Sequence, residues 1–68
     1  MARMSLQAAH QQARQWLESN DLDRAIGLCE HILQAHPRNL EAYRILGEAC
    51  LANRQLDRAQ DAFEHVLR

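Results

Sequence analysis

Residues 22–33 read LDRAIGLCEHIL, and residues 56–67 read LDRAQDAFEHVL. The segments stand 34 residues apart and share Leu, Asp, Arg, Ala, Glu, His and the closing Leu at the same offsets. Carried outward in that register, residues 6–34 align with 40–68 and give ten identities in 29 positions. Among them are Leu6/Leu40, Ala8/Ala42 and Leu17/Leu51, outside the quoted block. Chance at ordinary residue frequencies predicts about two. Two amphipathic helices share apolar spacing, but amphipathicity does not demand the same Asp, Arg, Glu and His. A period of this length marks a stacked array of supersecondary units. It shifts the expected function from catalysis towards binding.

Sixty-eight residues make one small domain. A chain of this size buries only about 60% of its unfolded surface, so its core is thin. The net charge of -1 supplies no basic field for nucleic acid, although all eight cations are arginine. No 18-residue apolar run is present, so no membrane span is expected. The opening MARMSLQAAHQQ lacks the apolar stretch of a signal peptide. A reducing, cytoplasmic setting follows as the expectation, with Cys29 and Cys50 as free thiols.

Glycine is scarce and Pro37 is the one proline, so the pattern predicts an all-α chain of four helices. Helix one is expected over Leu6–Glu18, capped by Ser5, with Leu6, Ala9, Ala13, Trp16 and Leu17 on its apolar face. Ser19-Asn20-Asp21 breaks it, and Asn20 or Asp21 caps the next helix. That helix places Leu22, Ala25, Ile26, Cys29, Ile32 and Leu33 on one face, and Pro37 blocks its continuation. Asn39 caps the third, whose face is Leu40, Tyr43, Leu46, Gly47, Cys50 and Leu51. Asn53-Arg54-Gln55 turns the chain into the fourth, with Leu56, Ala59, Phe63, Val66 and Leu67. Short connections make sequential helices antiparallel. Small residues are expected to set the crossings, Ala13 against Ala25 and Gly47 against Ala59.

The second hairpin reads Tyr43-x2-Leu46-Gly47-x2-Cys50, then Ala59-x3-Phe63. This resembles the tetratricopeptide repeat, a 34-residue helix-turn-helix unit. The first hairpin is similar through Ala13, Trp16, Ala25, Cys29 and Pro37, and the resemblance covers residues 6–68. It implies two hairpins stacked as a short right-handed α-solenoid, the first repeat over 6–39 and the second over 40–68. Cys29 and Cys50 replace aromatic residues of the family pattern, and Ile32 and Val66 replace a usual alanine. Ala9 and Gln12 stand where the family has large apolar residues, as expected of a solvent-facing first repeat. Phe63, Val66 and Leu67 are expected to lie bare on the last helix. That face predicts either a further repeat in a longer chain or self-association into a homo-oligomer.

The resemblance also implies a non-catalytic scaffold that binds a protein or peptide in a groove lined by the first helix of each hairpin. Carried over by position, the groove residues are Gln7, His10, Arg14, Leu17 and Glu18, then Glu41, Arg44, Glu48, Leu51 and Ala52. Arg38 and Asn39 add the link between hairpins. A subgroup of the family clamps a C-terminal carboxylate with a Lys and Asn pattern. Here His10 and Arg14 occupy the first hairpin and Ile45 replaces the second-repeat Asn. Arg14 and Arg44 remain candidates for charge-assisted hydrogen bonds to an acidic partner.

Other candidate chemistry is thin. His31 and His65 each follow a Glu, but repeat equivalence sets them a repeat apart rather than around one ion, and a solvated helix face is expected. Asp23 and Asp57 open helices two and four, where the dipole favours an acid, and each is a candidate to pair with an Arg of the neighbouring repeat. No nucleophile-base constellation, phosphate-cradling loop or paired-carboxylate site is present, so neither enzymatic activity nor a cofactor is expected. An alternative reading makes the chain the regulatory appendage of an enzyme.

Overall fold

The helix boundaries follow from local capping chemistry. A computed structural model describes residues 4–67. It contains α1 (Leu6–Glu18), α2 (Leu22–Ala35), α3 (Leu40–Ala52) and α4 (Leu56–Leu67). Ser5 and Asn39 are extended caps whose side-chain oxygens accept from Ala8 N at 3.1 Å and Ala42 N at 2.7 Å. Each bond satisfies one of the donors that a helix start leaves unpaired. Asp21 caps α2 without a side-chain bond to the backbone, and its carboxylate lies 3.5 Å from Arg24 instead.

Asn20 is not a cap of α2; it terminates α1. Its φ is 63°, and its repeat counterpart Arg54 has φ 61°. In the first turn Asp21 N donates to Trp16 O at 2.7 Å and Asn20 N to Leu17 O at 3.1 Å. The second repeats this with Gln55 N to Cys50 O at 2.8 Å and Arg54 N to Leu51 O at 3.1 Å. These paired bonds are Schellman closures around one left-handed residue. Asparagine tolerates that conformation well, whereas arginine has no such advantage.

The four helices form two antiparallel hairpins, and α3 is the hub, packed on α1, α2 and α4. The main core joins Ala13, Ala25, Ile26, Cys29, Ile45, Leu46, Ala49, Cys50, Ala59 and Ala62. A second cluster joins Ala9, Ile32 and Ala42. Because α3 is covered on several sides, its buried arc is wider than one apolar stripe. Ala42, Ile45 and Ala49 are fully buried, while Leu40 and Leu51, expected on the inner face, are each 53% exposed.

Gly47 departs from expectation in its neighbour. The ring of Phe63, not the methyl of Ala59, lies closest to it: a Cβ added there would meet the ring at 2.7 Å. The glycine therefore accommodates an aromatic ring, which leaves Phe63 half-buried rather than bare.

The polar end of the stack is built from other residues than expected. Ala9 does not face solvent; it is buried against Ile32 and Ala42. The α3 residues that α1 and α2 help to cover, Ala42, Ile45 and Ala49, have Ala8, Gln11 and Gln15 as their counterparts 34 residues earlier. Gln11 and Gln15 are exposed. Thus two exposed glutamines, rather than Ala9 and half-buried Gln12, make that side of α1 hydrophilic. At the other end, Leu22 and Leu33 are half-buried, whereas their counterparts Leu56 and Leu67 are exposed.

Candidate functional site

The groove residues expected from the sequence divide into two sets. The first is tied up between α1 and α3. Asn39 Oδ1 accepts from Ala42 N and also meets His10 Nε2 at 2.8 Å. Since Oδ1 is the acceptor in both, Nε2 carries the proton. One turn further along α1, Arg14 forms an ion pair with Glu41. His10, Arg14, Asn39 and Glu41 thus fasten the two hairpins, and they answer one another before any partner arrives. Such half-exposed pairs contribute only about 0–1 kcal/mol each, so their main effect is orientation.

The second set makes no ion pair among the described residues. Gln7 and Glu18 are exposed on α1, Arg38 on the link, and Arg44 and Glu48 on α3. Leu40, Arg44, Glu48 and Leu51 fall at helical spacing along one side of α3, and all four are exposed. Leu51 stands out as 53% exposed beside charged neighbours. Leu17 is half-buried and Ala52 exposed. Ile45, at the carboxylate-clamp position, is fully buried and has no access to this face.

Elsewhere the polar side chains stitch the scaffold. Glu30 of α2 pairs with Arg58 of α4. This cross-repeat pair uses neither Asp23 nor Asp57, the acids expected to make it; both remain in the first turn of their helices. Arg24 lies 5.9 Å from the Trp16 ring centroid, within cation–π range, and half-buried Trp16 packs on the core. His65 is not simply solvated. Its ring stacks on Tyr43 with centroids 4.2 Å apart and planes within 7°, and its Nδ1 donates to Asp61 O at 2.8 Å. Sequence reasoning missed this contact, because the counterpart of Tyr43 in the first repeat is Ala9 and only His65 has an equivalent of its own kind, His31. Among the described residues no cluster of His, Cys, Asp and Glu has the grouping to hold a metal ion. Nor, among them, is any helix long and apolar enough to cross a membrane.

Cys29 and Cys50 are buried free thiols. Burial, then the nearby Cys50 and Glu30, pushes the Cys29 thiol from its ordinary 9.0 up to about 12. Burial also raises Cys50, against the opposing charge of Arg58. These are core groups, not nucleophiles. Between pH 9 and 12 the unfolded chain has lost the Cys29 proton while the folded chain keeps it. The stabilisation is therefore complete below pH 9 and lost as pH rises towards 12, on the order of 1 kcal/mol per pH unit. Urea midpoints measured under reducing conditions should fall from pH 8 to pH 10.5, and Cys29→Ala should flatten that fall. Equal pH slopes for both proteins would rule out Cys29 as its source.

A wide depression of about 490 Å³ opens between α1 and α2, with Leu6, Ala9, Leu28, His31 and Ile32 among its walls. A shallower one of about 480 Å³ lies over Ala35, His36, Pro37, Arg38 and Asn39. The sequence signal for the first was Ala9 itself, the small residue opposite Tyr43 in the repeat alignment.

Paired antiparallel helices, closed by identical turns and stacked through a central third helix, define a helical-repeat protein. The profile of the family described as Tetratricopeptide repeat matches residues 16–68. The chain belongs to that family, whose members in general mediate protein–protein interaction and are generally not catalytic. Searches of curated proteins and of solved structures returned no match.

Proposed function

We propose that the face shared by α1 and α3 binds a peptide or helix of a partner protein. The observation that carries this is the exposed row Leu40, Arg44, Glu48 and Leu51 on α3. It combines apolar area with ionisable groups that make no intramolecular ion pair among the described residues. The fastened seam of His10, Arg14, Asn39 and Glu41 would hold that row at a fixed angle to Gln7 and Glu18 of α1. Pre-set geometry of this kind lowers the ordering cost of binding.

The test is to select binders from a displayed peptide library on the 68-residue chain and titrate the best by NMR. Shifts should centre on Arg44, Glu48 and Leu51. Arg44→Ala should weaken an acidic binder by about tenfold, the order expected for a charged hydrogen bond, and reduce its salt dependence. Unchanged affinity, or shifts confined to α4, would sink the reading.

Self-association through α4 is the second reading, favoured by Leu56 at 62% and Leu67 at 84% exposure. Phe63 packs on Gly47 and belongs to the fold, so within the self-association set of Phe63, Val66 and Leu67 it is the wrong residue to mutate. Light scattering of Leu56→Glu with Leu67→Glu separates assembly from folding: the pair should dissolve an oligomer and leave peptide binding intact.

A further inference from the structure

The two hairpins differ at one pair of equivalent sites. In the second, Tyr43 of α3 lies flat on His65 of α4 with centroids 4.2 Å apart. Thirty-four residues earlier the same pair reads Ala9 and His31. His31 is exposed where His65 is half-buried. Where the tyrosine ring would lie, α1 and α2 enclose the depression of about 490 Å³ that Ala9 and His31 both line. Leu28 is larger than its counterpart Ala62, yet the space persists. Ala9 and Ile32 are buried at its floor, and Leu6 and Leu28 give apolar walls.

The space suits a planar ring. Its volume falls within the range of about 300–1,000 Å³ typical of ligand pockets, so a ring and its attached backbone fit. A lining that combines the His31 imidazole with apolar Met4, Leu6, Leu28 and Ile32 favours an offset-stacked aromatic over a branched aliphatic group. None of the rings in these 68 residues is left to fill it. The chain has one Trp, one Tyr and one Phe. Trp16 packs on the core under Arg24, Tyr43 covers His65, and Phe63 covers Gly47. A second copy has the same three rings committed in the same way. The depression adjoins, at shared Ala35 and His36, the one over Pro37, Arg38 and Asn39. That adjacency gives a polypeptide a side from which to approach, along the link between hairpins.

We infer that the α1–α2 depression receives an aromatic side chain of a partner polypeptide, stacked on His31 as Tyr43 is stacked on His65. The site is separate from the Arg44 row and stands without it. Its occupant is defined by chemistry: a tyrosine-like ring, supplied in trans at the place where the second repeat supplies its own.

The experiment is an NMR titration of the 68-residue chain with N-acetyl-tyrosinamide and, in parallel, N-acetyl-leucinamide. The tyrosine probe should move the Ala9 methyl and the Leu28 and His31 resonances upfield, leaving Arg44 in place, and bind at least threefold tighter than the leucine probe. Ala9→Tyr should fill the space from within, raise the melting temperature and abolish those shifts. His31→Ala, at an exposed position with no folding role, should weaken the tyrosine probe about threefold to tenfold and leave the leucine probe unchanged. Equal binding of the two probes, no shifts at these residues, or undiminished binding to both variants would overturn the inference. Should Ala9→Tyr fail to fold, the His31→Ala comparison decides alone.

Discussion

Ile45→Ala is expected to cost about 2–5 kcal/mol, the range for truncating a buried isoleucine to alanine in a well-packed core. Ile45 is completely buried and is the largest side chain among the described residues that is. It lies on α3, the helix packed on all three others, so the space left behind is not closed by moving a single neighbour. A domain of this size has a total stability of roughly 3–10 kcal/mol at the usual value per residue. The loss is therefore comparable to the whole. Urea unfolding followed by far-ultraviolet circular dichroism should show a greatly reduced midpoint or no folded baseline. Ile45→Val, which removes one methyl, should cost about 0.5–1.5 kcal/mol. Leu51→Ala, a nominally similar apolar truncation on the same helix at a position 53% exposed, should stay within about 0.5 kcal/mol. Equal losses at positions 45 and 51 would contradict the packing described for α3.

Gly47→Leu carries the next largest effect. The first carbon of any side chain at 47 would meet three Phe63 ring atoms at 2.7, 2.8 and 2.9 Å, closer than such contacts normally come. A leucine must displace the ring altogether, and overpacking of that kind costs about 1–3 kcal/mol. Gly47→Ala sets two effects of similar size against each other. Alanine is favoured over glycine in a helix interior by about 1 kcal/mol, and the displaced ring takes much of that back. The decisive measurement is a double-mutant cycle. If the ring is the obstacle, Gly47→Leu with Phe63→Ala should cost less than the sum of the single changes. Additive costs would place the clash elsewhere and remove Phe63 from its assigned position over Gly47.

Several elements were legible in the chain for stated physical reasons. The span of α1 and the three breaks between helices could be read, because Ser5, Asn39 and Pro37 act within a single turn of where they stand. Local rules failed where one residue type serves two local roles. Asn20 is a good N-cap and a good left-handed residue, and the closing bonds of α1 decide for the second. Arg54 at the equivalent place shows that the turn is imposed by those bonds rather than by its residue.

The candidate site was legible only as a set of positions. The sequence distinguishes Arg14 from Arg44 in nothing but number, yet Arg14 is held by Glu41 and Arg44 is exposed without an ion pair among the described residues. His31 and His65 are identical in type and preceded by the same acid, yet one is open and one is stacked. In each case the difference comes from a residue about 20 to 30 places away in sequence, beyond the reach of helical periodicity.

The 34-residue period by itself determined that this is a stack of helical hairpins, because two copies of one amphipathic pattern need the same kind of cover. The Tyr43, Leu46, Gly47, Ala59 and Phe63 pattern added the resemblance to the tetratricopeptide repeat, a family whose members in general mediate protein–protein interaction. Tertiary structure decided which side of each helix meets that cover. The central place of α3 buried Ala42, Ile45 and Ala49 and turned Leu40 and Leu51 outward. The matching turn of α1 exposed Gln11 and Gln15 and left Ala9 at the floor of an unfilled space. Periodicity says how many faces a helix has, but the number and position of its neighbours decide which of them are buried.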